Sequence, residues 1–170
     1  MQYFTFNLPV KKHIQKYLTV KYGQVIQARL ETEIGFVVLN TLASRLEAQV
    51  SRGYLDLWQG RYNSSVTFRM PFHYFYLTKR DVSPFTCTLL NRYFEQKFEE
   101  EFCQFVEIAT TAGSKRKKAI EQFSFKYQLD IEDDISFDAL KQMDYRSRKK
   151  NIENSLCSLS PENNLFSKTA

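Results

Sequence analysis

At 170 residues the chain has the length of one ordinary domain, and with 43% hydrophobic and 15% aromatic residues it carries too much apolar mass for a disordered protein. Five Gly and four Pro are too few for a repetitive β architecture rich in tight turns, and no fixed period recurs. The formal charge of +5 favours an anionic partner only modestly, and three widely spaced cysteines, Cys87, Cys103 and Cys157, argue for a reducing cytosol over a disulfide framework.

The chain opens on the aromatic, β-prone QYFTFNL, read as a strand near residues 2–7. Asn7-Leu8-Pro9 then signals a helix start, and Val10, Ile14, Tyr17 and Leu18 share one face of that helix up to a stop at Gly23. No charged leader with a long apolar core precedes it, and no apolar run approaches the roughly 20 residues of a membrane span, so a cytoplasmic protein without membrane contact is expected. A second β-prone piece, residues 25–30, leads to Thr32 as N-cap of a helix carrying Ile34, Val37, Val38, Leu42 and Leu46 inward.

After a polar turn with a short candidate strand at 53–58, residues 65–77 alternate: Val66, Phe68, Met70, Phe72, Tyr74 and Tyr76 against Thr67, Arg69, Pro71, His73 and Phe75. Pro71 lacks an N–H, so the reading is an edge strand or a bulge. Ser83-Pro84 opens a long helix to about Thr110 with a Phe-rich stripe; Glu95, Glu99, Glu100 and Glu101 make its outer face acidic. Ala119, Ile120, Phe123 and Tyr127 mark a further helix. Ser136 caps a last one, with Phe137, Leu140 and Met143 inward, before a polar tail over 151–170.

Catalytic and metal chemistry leave little trace. His13 and His73 have no local Cys or His companions, and the five glycines form no phosphate loop, so no metal, cofactor or enzymatic activity is expected. Asp130, Glu132, Asp133 and Asp134 lack the calcium-loop pattern and read as a solvated acidic loop. Cationic clusters are the stronger signal. Lys11, Lys12, Lys16, Lys21 and Arg29 lie in an opening segment without acids; Lys115, Arg116, Lys117 and Lys118, and then Arg146, Arg148, Lys149 and Lys150, frame two short helices. That pair has the outline of a helix-turn-helix, although Gln128 to Ile135 is longer than the usual turn of about 3–4 residues.

Two stretches, HIQKYLTVKYG with Ile34-Gly35 after it, and FSFKYQLDIEDDISFDALKQMDYRSRKK, with HYFYL between them, resemble small uncharacterised proteins of phages and mobile elements of Bacteroides-type gut bacteria. Tyr17, Tyr22 and Gly23 carry the first likeness; Phe123, Tyr127, Glu132, Asp133, Asp138, Leu140, Lys141, Tyr145 and Arg146 carry the second. The resemblance implies an accessory role in replication, mobilisation or gene control, and transfers no active site.

The expectation is an α+β domain over residues 1–150: a small, mostly antiparallel sheet packed by two N-terminal helices, followed by a C-terminal helical array. Its expected function is non-enzymatic binding of nucleic acid, DNA foremost, with Lys115, Arg116, Lys117, Lys118, Arg146, Arg148, Lys149 and Lys150 neutralising phosphates. The alternative is a protein-interaction or assembly module, homo-oligomeric or with another partner, that uses the Phe-rich helix or the strand bearing Pro71.

Overall fold

The computed structural model describes residues 2–43, 62–75 and 83–158. The expected strand at 53–58, Leu46, Tyr76 and the tail beyond Ser158 lie outside them. The described chain is α+β: a three-stranded sheet and six helices. None of these helices is long and apolar enough to cross a membrane.

The first strand, β1, runs Tyr3–Val10, past the expected helix start at Asn7. Burial explains the difference. Phe4, Phe6, Leu8 and Val10 continue one alternating face, with Leu8 and Val10 fully buried, so leaving the sheet at Asn7 would expose them. Pro9 is tolerated because β1 is an edge strand. Helix α1 then spans Lys12–Tyr22, burying His13, Ile14, Tyr17 and Leu18, and ends at Gly23, whose φ of 89° suits glycine.

Strand β2 is short, Val25–Gln27, and helix α2 covers Glu33–Ala43. The Thr32 hydroxyl accepts from the Gly35 N–H at 3.2 Å, as an N-cap should, and donates to the Arg29 carbonyl at 3.0 Å. Strand β3, Ser64–Pro71, lies in the middle of the sheet, antiparallel to β1 and parallel to β2. Pro71 is therefore the last residue of a central strand, opposite Tyr3, and marks neither a bulge nor an edge strand. The strand expected to continue to residue 77 gives way instead to a helical turn, α3, at Phe72–Phe75.

Helix α4, Pro84–Thr111, organises the core. Ser83 caps it by accepting from the Thr86 N–H, and Phe94, Phe98 and Phe102 are fully buried along it. The Phe94 ring stacks on Phe68 of β3 at 6.0 Å, while Phe98 meets Tyr17 of α1 edge-on at 5.4 Å. Asn91, also buried, donates to the Pro9 and Cys87 carbonyls and so ties α4 to the sheet edge.

Helix α5, Arg116–Lys126, folds back along α4, with Phe123 against Phe98, Phe102 and Phe105. Helix α6, Phe137–Ser158, begins at Ser136, whose hydroxyl accepts from the Ala139 N–H at 3.2 Å. It continues well past Asn151, where the polar tail was expected to begin.

Candidate nucleic-acid interface

Lys115 is the N-cap of α5, and Arg116, Lys117 and Lys118 make its first turn. No acid lies in that turn and no side chain caps it. Free N–H groups and the positive end of the helix dipole already repel cations there, so four consecutive cations oppose the preference of an isolated helix. An anion is the natural complement of that end.

Across from it, the inward stripe of α6 carries a carboxylate. Asp144 is only 6% exposed, and its two oxygens meet Arg116 Nη1 at 2.6 Å and Arg148 Nε at 3.2 Å. One acid thus joins a residue from each of the two C-terminal cationic clusters. Helix periodicity carries the signal that would have found it, since Asp144 follows Phe137 and Leu140 at seven and four residues. Between the two helices lies a groove of about 720 Å³ lined by Arg116, Lys117, Phe137, Lys141, Tyr145 and Arg148 among others.

The eight expected phosphate contacts do not form one surface. Arg116, Lys117 and Arg148 share the groove, whereas Arg146 and Lys150 line a separate cavity of about 430 Å³ on the α4 side, with Glu99 and Glu100. Lys117 lies 3.9 Å from Glu121 and Lys149 3.9 Å from Glu153; both are exposed pairs that constrain the cations little. Lys115 and Lys118 are exposed.

The N-terminal lysines serve the fold. Lys11 pairs with Glu95 at 2.8 Å, Lys12 with Asp134 at 2.9 Å, and Lys16 with Asp134 at 2.6 Å. The acidic loop is thus not wholly solvated, because the Asp134 carboxylate is buried beneath α1. Glu101 is likewise turned inward from the expected acidic face. It accepts from the Tyr17 hydroxyl at 2.8 Å and contacts Lys21 and the Tyr127 hydroxyl. Burial works to raise its carboxyl, but the hydrogen bonds from Lys21, Tyr127 and Tyr17 outweigh it and hold the group below its ordinary value. Glu101 stands seven residues after Phe94, on the apolar stripe, which is again the overlooked signal.

His13 is buried against the Phe98 ring, with Nδ1 3.3 Å from the Asp134 carbonyl; burial and then Lys11 push its imidazole below the ordinary value. Burial pushes the Cys87 thiol up to about 12, and Cys103 is raised by the same cause. Among the described residues no group of three or more His, Cys, Asp or Glu is arranged to hold a metal ion. Comparison with protein-family models, with curated proteins and with solved structures finds no match for this chain.

Proposed function

We propose that the protein is a non-enzymatic nucleic-acid-binding protein that engages backbone phosphates through the N-terminal end of α5 and the adjoining face of α6. The carrying observation is the run Lys115 to Lys118 at an uncapped, acid-free helix start. Arg116 and Arg148 are already committed to Asp144, so they position the face, and Lys115, Lys117, Lys118 and Lys141 supply the charge that a phosphate meets. In this reading the chain is an accessory of replication, mobilisation or gene control in a phage or mobile element, the context its two motif stretches imply.

Fluorescence anisotropy with a labelled random duplex and a single strand tests the reading. About four phosphate contacts on a duplex give a log–log salt slope of about −3.6. A variant with Lys115, Lys117 and Lys118 changed to Ala, which leaves the Arg116–Asp144 pair intact, is expected to lose most of the affinity. Binding that ignores salt, or that survives the triple variant, contradicts the proposal.

A second reading, a protein-docking surface, has one observation in its favour. Phe125 on α5 is 88% exposed and Ile108 on α4 70% exposed. Ile108 lies on the Phe-rich helix, away from its buried Phe stripe, whereas Phe125 lies on neither of the surfaces expected from the sequence, and β3 is central. A concentration-dependent oligomer by light scattering, abolished by Phe125→Ser, would support it.

A further inference from the structure

Phosphate contacts alone leave the groove between α5 and α6 unexplained. Its volume, about 720 Å³, falls in the range of small-ligand clefts, roughly 300–1,000 Å³. Its walls include Ile120, Ile131, Phe137 and Tyr145, which the hydrated phosphates of a duplex have no reason to meet. An unpaired base has such a reason, because it presents an apolar, π-faced body with phosphates on either side.

Apart from Glu121, a carboxylate of the lining that lies 3.9 Å from Lys117, the remaining groups suit that occupant. Tyr145 is 61% exposed although it lines a concave surface, and the Arg148 guanidinium lies 5.9 Å from its ring centre. Asp144 holds the guanidiniums of Arg116 and Arg148 in place from beneath, so two planar cations stand pre-positioned at the groove. Lys117 at the start of α5 also lines the groove, within reach of a strand that enters it.

Resting on the nucleic-acid reading above, we infer that this groove seats an unpaired base of a single-stranded nucleic acid, stacked on Tyr145, while the lysines at the start of α5 hold the flanking phosphates. The protein then prefers single strands to duplex, and Tyr145 is the residue that sets the preference.

The test is an anisotropy titration of a single strand and a duplex of equal length, about 15 nucleotides, against wild type, Tyr145→Phe and Tyr145→Ala, with circular dichroism confirming that each variant is folded. The single strand is expected to bind about tenfold more tightly. Tyr145→Phe keeps that preference, and Tyr145→Ala erases it, a loss on the scale of one base–aromatic stack. Equal or tighter duplex binding, with Tyr145→Ala behaving as wild type while the Lys115, Lys117 and Lys118 variant still loses affinity, overturns the stacking inference and leaves the phosphate reading standing. No binding to either probe overturns both.

Discussion

Asp134 keeps its carboxylate out of solvent, with Lys12 at 2.9 Å and Lys16 at 2.6 Å. Burial pushes the group upward, yet hydrogen bonds from Lys16 and Lys12 outweigh burial and hold it at about 2. An unfolded Asp titrates near ~3.9. Since the folded value is the lower one, this site stabilises the protein above about pH 4, and the contribution is lost as pH falls toward 2. Asp134→Asn is therefore expected to flatten the melting temperature against pH between about 5 and 2, whereas wild type falls steeply. A parallel pair of curves would contradict the assignment. Glu101 is the second such carboxylate. Glu101→Ala leaves the Tyr17 and Tyr127 hydroxyls and Lys21 without their shared acceptor, and is expected to cost about 2–3 kcal/mol by urea unfolding, with Glu101→Gln costing less. Glu101 and Asp144 could both have been located from helical spacing, because each falls on an apolar stripe; the identity of their partners could not, since Tyr127 and Arg116 approach from other helices.

The start of α2 depends on a close approach between backbones. A Cβ on Gly35 would lie 2.1 Å from the Arg29 carbonyl oxygen and 2.2 Å from its nitrogen. Backbone atoms cannot swing aside as a side chain can, so Gly35→Ala forces α2 away from the preceding turn. A loss of about 2–3 kcal/mol in unfolding free energy is expected, and an unchanged urea midpoint would contradict the packing. Legibility at this scale follows from what decides an element's end. Capping chemistry is local, and Thr32, Ser83 and Ser136 each accept a hydrogen bond from the backbone N–H three residues on. Strand ends answer to the rest of the sheet. β1 outruns its helix signal because Leu8 and Val10 have a partner strand to lie on, and the aromatic alternation after Pro71 turns helical as soon as the pairing with β1 ends.

At the scale of the described chain, the lysines of α1 and the cations at the start of α5 play different parts that composition cannot separate. Lys11, Lys12, Lys16 and Lys21 are drawn into ion pairs that fasten α1 to α4 and to the loop before α6. At the start of α5, Lys115, Lys117 and Lys118 stay exposed, while Arg116 and Arg148 are held by Asp144. Periodicity sufficed for the α+β class and for the apolar faces of α1, α4 and α5. It could not show which cations are drawn into the fold, because their partners lie up to a hundred or so residues away. Helical spacing does carry the division of the last cluster, since Arg146 and Lys150 are four residues apart on one face and Arg148, two from each, lies on the other, in the groove.

The most direct test of the account is chemical-shift mapping of the backbone amides of isotopically labelled protein titrated with a short single strand at low salt. The largest changes are predicted at Lys115 to Lys118 and from Lys141 to Arg148. Absence of any change, or changes centred on α1 around Lys11, Lys12 and Lys16, would contradict it.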